Sequence, residues 1–259
     1  MRISIIQTDI CWEDKSANLQ LVEHQLQALS GNTDLAVLPE MFSTGFSMQT
    51  EILAEPTEGP TLTKLKQWAT YYQLAIAGSY LATDPLTTNY YNRAFFLTPD
   101  GESYYYDKRH LFSMGGENKH FTPGRQRPII HYRGWNICLL ICYDLRFPVW
   151  SRNTHNEYDL LLYVANWPAT RRQAWDTLLA ARAIENLAYV GGVNRIGTDG
   201  NQLFYNGGSA LYSPKGERLI SIPDTTAAAA TIELSLTNLQ HIRQKFPAWK
   251  DADPFKICL

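Results

Sequence analysis

The chain has 259 residues, of which 45% are hydrophobic and 19% charged, and its formal net charge is −2. That length and composition are typical of one globular domain, which we take to span residues 1–259. A charge so near zero gives no reason to expect nucleic acid or an anionic membrane as a partner, and without a long apolar run or a signal-peptide pattern we expect a cytoplasmic protein.

Strands and helices alternate along the first part of the chain. Apolar side chains recur at helical spacing from 19 to 29, and again after Pro60, which suits the first turn of a helix. A Pro99-Asp100-Gly101 turn joins two strands in a hairpin. The patterns predict strands at 3–6, 34–38, 74–81, 90–97, 103–106, 135–141, 159–165 and 188–193, and helices at 19–29, 60–72, 175–186 and 236–246. We therefore expect mixed α/β layers in which helices cover the faces of a sheet.

The strand predicted at 135–141 ends abruptly at Cys142. Pro148 then favours a helix over residues 149–152. A thiol at the end of a buried strand and before a helix is held rigidly, and the field of the helix N-terminus lowers the pKa of such a thiol. The alternative for a single cysteine is a small core residue with no chemical role.

Three further reactive side chains follow strands or lie in a long loop. Glu40 comes after the strand at 34–38, Lys108 follows the second hairpin strand, and Glu117 lies in the irregular stretch 111–127. Loops of that length in compact domains are usually functional. Each residue alone is most simply a solvated surface group. Together with Cys142 they comprise a nucleophile, a carboxylate base and a cation that stabilises developing negative charge.

Other kinds of site have weaker support in the sequence. A cysteine–histidine hydrolase that uses His110 or His120 stays open as an alternative. The four cysteines, at positions 11, 138, 142 and 258, and the six histidines show neither zinc-ligand spacing nor a disulfide framework. The sequence also lacks a G-x-S-x-G elbow, a Walker A loop and a Rossmann fingerprint. We expect neither a metal nor an organic cofactor.

Three segments resemble the nitrilase (carbon–nitrogen hydrolase) superfamily, in that family's order, and the resemblance covers nearly the whole chain. They are Leu38-Pro39-Glu40-Met41-Phe42, Tyr106-Asp107-Lys108-Arg109-His110-Leu111-Phe112 and Cys142-Tyr143-Asp144-Leu145-Arg146-Phe147-Pro148. Three more resemble its bacterial omega-amidase branch: Val149-Trp150-Ser151-Arg152-Asn153, Ala165-Asn166-Trp167-Pro168 and Phe246-Pro247-Ala248-Trp249. The resemblance implies a four-layer α-β-β-α sandwich that pairs with a second subunit through its helices, as a homodimer or a higher homo-oligomer.

The resemblance also implies a role for each matched residue. Cys142 corresponds to the nucleophile, Glu40 to the general base and Lys108 to the lysine that stabilises the oxyanion. Glu117 corresponds to a second glutamate that assists positioning and proton transfer, and the backbone N–H of Tyr143 completes the oxyanion hole. The implied reaction is hydrolysis of a terminal amide through a thioester, without a cofactor.

The omega-amidase branch implies short 2-oxo dicarboxylic acid monoamides as substrates, such as 2-oxoglutaramate and 2-oxosuccinamate. Arg146 is the best-placed cation for the substrate carboxylate, and an ion pair with Glu117 or Asp144 is its alternative role. Trp167 follows a predicted strand and is expected either to wall the pocket or to fill the core. The second-choice carboxylate anchors are Arg171 and Arg172.

Several rival functions remain at the level of sequence. Within the same fold the chain is also compatible with an aliphatic amidase, a nitrilase or an N-carbamoyl hydrolase. A glutamine-amidotransferase subunit is disfavoured because the chain has no length left for a synthetase domain. A non-catalytic binding protein is disfavoured because all the reactive positions are filled.

Overall fold

Two six-stranded sheets lie face to face, and helices cover their outer faces. The computed structural model describes residues 1–257, and Cys258 lies outside the described residues. The strands are β1 (Arg2–Gln7), β2 (Leu35–Val37), β3 (Ala75–Thr83), β4 (Tyr90–Leu97), β5 (Ser103–Asp107), β6 (Ile129–Tyr132), β7 (Trp135–Ile141), β8 (Leu160–Ala165), β9 (Tyr189–Asn194), β10 (Ile196–Thr198), β11 (Phe204–Asn206), β12 (Ala210–Tyr212), β13 (Arg218–Ser221) and β14 (Ala228–Glu233). The helices are α1 (Lys15–Leu29), α2 (Thr50–Leu53), α3 (Pro60–Tyr72), α4 (Arg172–Asn186) and α5 (Leu236–Lys245). Within this described part, none of the helices is both long and apolar enough to cross a membrane.

Each sheet is built around three parallel strands. The first sheet has the order β14-β1-β2-β3-β4-β5, in which β1, β2 and β3 are parallel and the flanking strands antiparallel. The second has the order β13-β12-β9-β8-β7-β6, in which β7, β8 and β9 are parallel. The strands β10 and β11 form a separate hairpin. Side chains that follow parallel neighbouring strands therefore collect at one edge of each sheet.

Side chains that point alternately to the two faces of the first sheet pack into two separate cores, one on each face. On β1, Ile3 and Ile5 belong to the cluster between the sheets, whereas Ile6 packs with apolar residues of α1 and α3. Period-two alternation places successive side chains on opposite faces of a strand, so both faces of this sheet are buried. Trp175 and Leu179 of α4 pack against the second sheet. These contacts confirm the predicted α-β-β-α sandwich.

The strands and helices that the sequence delimits are all present, with ends shifted by four residues or fewer. The sequence patterns do not delimit β6, β10 to β14 or the short helix α2. The extent of the domain as one unit over residues 1–259 stays a prediction.

The helix predicted at 149–152 is wrong. Residues Cys142–Arg146 form a 3-10 turn, and the backbone after Phe147 continues in turns whose N–H groups bond three or four residues back. The hydroxyl of Ser151 donates to the Phe147 carbonyl at 3.2 Å. A serine side chain that bonds a backbone carbonyl in this way competes with regular helix formation.

Candidate active site

Cys142 immediately follows β7 and begins the 3-10 turn Cys142–Arg146. Its side chain is nearly buried, and its φ of +42° lies in the left-handed region that non-glycine residues rarely adopt. Strain of this kind persists only where the surrounding structure holds it, and it is concentrated at functional sites. The Sγ atom lies 3.9 Å from the backbone oxygen of Asn166, which follows β8. The thiol thus stands at the end of the buried strand β7, as the sequence predicts.

Three buried charged side chains meet beside this thiol. Lys108, directly after β5, places its Nζ 2.9 Å from Glu40 Oε1 and 3.0 Å from both carboxylate oxygens of Glu117. All three side chains are inaccessible to solvent. Glu40 comes from the loop after β2 and Glu117 from the long loop after β5. The four residues that the sequence analysis places in the catalytic site therefore converge.

Neutral donors complete the environment of the two carboxylates. The side-chain nitrogen of Asn92, on β4, lies 2.7 Å from Glu40 Oε1 and 3.1 Å from Glu117 Oε1. The backbone N–H of Asn166 donates to Glu40 Oε2 at 2.7 Å, and that of Phe112 donates to Glu117 Oε2 at 2.6 Å. Buried charges are tolerated when paired and hydrogen-bonded in this way.

Burial and neighbouring charges determine the protonation states in the site. Burial opposes the ammonium form of Lys108, but the Glu117 and Glu40 carboxylates outweigh it and raise the pKa of Lys108 above its usual value. Burial and the Glu40 charge raise the pKa of Glu117, although Lys108 opposes the shift. Burial and Glu40 also raise the pKa of the Cys142 thiol well above its usual value.

The sequence-based expectation of a lowered thiol pKa is therefore wrong. The segment after Cys142 is a short 3-10 turn, not an α-helix with a developed dipole, and the nearest anion disfavours a thiolate. The raised pKa favours the protonated thiol of Cys142 in the resting site.

Cys142 opens into a pocket of about 300 Å³. Lys108 shares the pocket, as do the three residues that the sequence analysis assigns to substrate binding, Tyr143, Arg146 and Trp167. The remaining lining includes Phe46, Met48, Phe112, Gly115, Asn166, Pro168, Arg171, Asp199, Asn201, Leu203 and Tyr205. The volume lies at the lower end of the usual range for small-molecule sites.

Two arginines of the pocket stack on aromatic rings. The Arg146 guanidinium lies 5.0 Å from the Trp167 ring and the Arg171 guanidinium 5.1 Å from the Phe112 ring. Neither has an ion-pair partner among residues 1–257. Arg172, by contrast, is held by two carboxylates, those of Asp176 and Asp224, and is not a free anchor.

The carboxylates proposed as alternative partners of Arg146 are engaged elsewhere. Glu117 binds Lys108. Asp144 accepts hydrogen bonds from Tyr106 Oη at 2.7 Å and from the His110 backbone at 3.0 Å, and its contact with His110 Nδ1 is 2.8 Å. His110 is therefore occupied by Asp144, and neither it nor His120 lines the pocket of Cys142. The geometry does not support a cysteine–histidine pair.

Comparison with known proteins decides the family. Residues 2–244 match the family model of carbon-nitrogen hydrolase. The chain belongs to the carbon–nitrogen hydrolase family. This confirms the resemblance drawn from the three motifs, and the protein is an enzyme of amide-hydrolysing type.

Relatives of this hydrolase match it over nearly their full lengths. It is 44% identical over 258 residues to the Omega-amidase YafV of Escherichia coli (strain K12), and the aligned residues make up 99% of this chain and 98% of the relative. It is 29% identical over 252 residues to the 2-oxoglutaramate amidase of Bacillus subtilis (strain 168), at 96% of each chain. The crystal structure of XC1258 from Xanthomonas campestris, a CN-hydrolase superfamily protein with an arsenic adduct in the active site, superposes with a TM-score of 0.96 at 41% identity, covering 100% and 99% of the two chains.

Two buried residues of the hydrolase's site, Asn92 and Ser79, are absent from the sequence reasoning. Both are fully buried polar residues within strands of mostly apolar and aromatic side chains, β4 and β3. A polar side chain on the buried face of such a strand is the signal that identifies them, because it requires a hydrogen-bond partner in the core.

Proposed function

We propose that this hydrolase is a cysteine-dependent omega-amidase. It would cleave the terminal amide of short 2-oxo dicarboxylic acid monoamides, such as 2-oxoglutaramate and 2-oxosuccinamate, to the 2-oxo acid and ammonia. The observation that carries the proposal is the pocket itself, where Cys142 and Lys108 share one small cavity with the guanidinium groups of Arg146 and Arg171. The omega-amidase and 2-oxoglutaramate amidase relatives support the same substrate class.

The first half-reaction follows from the buried cluster. Glu40 accepts the thiol proton while Cys142 Sγ forms a bond to the amide carbon, and the carbonyl π electrons move to oxygen. An N–H of Lys108 and the backbone N–H of Tyr143 stabilise the oxyanion, a contribution of about 2.7–4 kcal/mol per donor in comparable sites. Glu40 then returns the proton to nitrogen as the C–N bond breaks. Ammonia leaves and the acyl group remains on sulfur as a thioester.

The second half-reaction repeats the same proton transfers with water. Glu40 takes a proton from water as its oxygen attacks the thioester carbon. The second tetrahedral intermediate collapses with cleavage of the C–S bond, and the thiolate of Cys142 regains the proton from Glu40. Glu117 would hold Lys108 in place and keep a second carboxylate near the proton path. The sum is one amide and one water converted to one acid and one ammonia.

The arginines supply specificity for an anionic substrate. A guanidinium binds a carboxylate through two parallel hydrogen bonds, which fixes direction as well as distance. Trp167 supports the Arg146 guanidinium from one face. A carboxylate bound there would set the distance from the substrate's anionic end to its amide. A pocket of about 300 Å³ suits a substrate of this size.

Ammonia release from a panel of compounds tests the proposal. The panel contains 2-oxoglutaramate, 2-oxosuccinamate, butyramide, a short nitrile and an N-carbamoyl amino acid. We expect kcat/KM to be highest for the 2-oxo ω-amides. A preference for butyramide, the nitrile or the carbamoyl compound would instead establish one of the rival hydrolase functions.

We also propose that the hydrolase forms a cytoplasmic homodimer. Val149 and Ile184 are 56% and 54% exposed, and the segments that carry them are joined by a hydrogen bond from Arg152 to the Glu185 carbonyl. Apolar residues left exposed on adjoining segments favour burial against a second subunit. Light scattering of the parent and of Ile184→Asp measures the oligomeric state. We expect a dimeric parent and loss of the dimer in the variant, and a monomeric parent would refute the proposed homodimer.

A further inference from the structure

Asn92 contacts three of the four reactive residues. Its side-chain nitrogen donates to Oε1 of Glu40 and to Oε1 of Glu117, at 2.7 and 3.1 Å. Its backbone carbonyl accepts the N–H of Lys108 at 2.9 Å. Residue 92 therefore connects both carboxylates with the backbone that carries the lysine, although it has no contact with the thiol among the described hydrogen bonds.

The orientation of the Asn92 amide is determined by its neighbours. The Ser79 hydroxyl lies 3.0 Å from Asn92 Oδ1, and the N–H of Met41 donates to the same Ser79 oxygen at 2.9 Å. Because Met41 donates to Ser79, the hydroxyl hydrogen is free to point at Asn92 Oδ1. The reversed amide would place Oδ1 against two carboxylate oxygens, which are acceptors. Ser79 also holds Met41, which is the residue directly after Glu40 and has a φ of +44°.

A primary amide nitrogen carries two N–H groups, and here each has one carboxylate as its acceptor. The two Oε1 atoms also lie within 3.0 Å of Lys108 Nζ. Two like charges converge on the same ammonium in a region closed to solvent, so mutual repulsion would separate them without a second bridge. Asn92 provides that bridge without adding charge.

We propose that Asn92, oriented by Ser79, is a positioning residue that holds the side chains of Glu40 and Glu117 together on Lys108. This inference rests on the proposed amide hydrolysis. Asn92 has no described hydrogen bond to the thiol and does not line the pocket, so it acts by fixing where the base and the lysine stand relative to the substrate. Displacement of catalytic groups by about 1 Å is enough to cost about 10²-fold in rate.

The test uses Asn92→Leu, which keeps the approximate volume and removes both donors. We expect kcat to fall at least tenfold with KM within about threefold of the parent. Hydrogen bonds to a carboxylate lower its pKa, so their removal raises it, and the acid limb of kcat/KM should move upward by about one pH unit. A purely structural role would lower the melting temperature and leave the acid limb where it is.

Ser79→Ala removes the group that orients the amide and leaves every charged side chain in place. We expect a smaller loss of kcat, about three- to tenfold, with a shift of the acid limb in the same direction. Ser4→Ala is the matched control, because Ser4 is equally buried in the first sheet and loses a single hydroxyl contact, with Thr231 at 2.7 Å. It should keep the parent's kcat and acid limb.

All variants are measured with the amide that the parent hydrolyses fastest. A parent that hydrolyses no amide would defeat the proposed function, whereas an active parent with a folded Asn92→Leu of unchanged kcat and acid limb would defeat this inference alone. If Asn92→Leu does not fold, Ser79→Ala tests the positioning role in its place. A Ser79→Ala variant with the same kcat and the same acid limb as Ser4→Ala would then refute that role.

Discussion

Lys108→Met removes the ammonium that both buried carboxylates share. The lysine Nζ lies within 3.0 Å of Glu40 and Glu117, and none of the three side chains is accessible to solvent. Removing one member of a buried, hydrogen-bonded charge group typically destabilises a protein by about 3–5 kcal/mol, because the remaining charge stays unpaired. Losing one oxyanion donor typically costs about 10²–10³ in kcat. We expect both effects in this variant.

The stability loss should depend on pH in a direction that the site determines. Lys108 opposes the burial and the Glu40 charge that raise the pKa of Glu117, so its removal raises the pKa of a carboxyl in this pair further. A carboxyl whose folded pKa exceeds its unfolded value of about 4.3 adds stability while protonated, and this is lost as pH rises through the folded pKa. The deficit relative to the parent should therefore grow as pH rises above the unfolded pKa of about 4.3, by at most about 1.4 kcal/mol per pH unit for one proton.

Urea unfolding at pH 5.5 and pH 8, with ammonia release in parallel, measures both quantities. Lys66→Met is the matched control, because Lys66 pairs with the largely exposed Glu58 and such pairs contribute about 0.2–1 kcal/mol. It should change neither kcat nor the pH dependence of stability. A Lys108→Met deficit that is equal at the two pH values would refute the reasoning about the carboxyl proton, and a near-normal kcat would remove Lys108 from the oxyanion site.

Three further substitutions test the remaining roles. Cys142→Ala should abolish turnover and preserve the fold, while Cys138→Ala keeps its activity; the opposite pattern in ammonia release would show that the nucleophile is misassigned. Glu40→Gln cannot take the thiol proton, so kcat should fall by at least about two orders of magnitude, and near-normal turnover would exclude Glu40 as the base. Arg146→Lys should lower the ratio of kcat/KM for 2-oxoglutaramate to kcat/KM for butyramide, and Arg146→Ala should lower that ratio further. An unchanged ratio would exclude Arg146 as the carboxylate anchor.

Local sequence patterns were sufficient for the central strands and the longer helices. Mostly apolar runs predict β7 and β8, and Pro60 predicts the start of α3 at the residue where it begins. The strand β14 reads Ala-Ala-Ala-Thr-Ile-Glu and has no strong preference for extended structure. It is a strand because it pairs with β1 from the other end of the chain, a contact that no local pattern reveals.

In the candidate site, too, some residues are identified by local sequence and others only by long-range contacts. Glu40, Lys108 and Cys142 are reactive side chains at strand ends and within family motifs, so the sequence alone identifies them as candidates. Asn92 is an ordinary residue in a strand until its two carboxylate partners, 52 and 25 residues away, are known. The state of the Cys142 thiol also required the structure, because burial and an adjacent anion, and not the type of turn after it, determine its pKa.

The reactive groups are divided between the two sheets. Glu40 and Lys108 extend from β2 and β5 of the first sheet, whereas Cys142 and Asn166 extend from β7 and β8 of the second. The apolar layer between the sheets, which includes the edge-to-face contact of Phe96 with Tyr132 at 5.4 Å, therefore acts as the spacer that sets the distance from sulfur to base. The turnover rate should consequently depend on the thickness of this layer. A substitution deep in the core that lets the two sheets move closer together would slow the reaction without altering any group in the pocket.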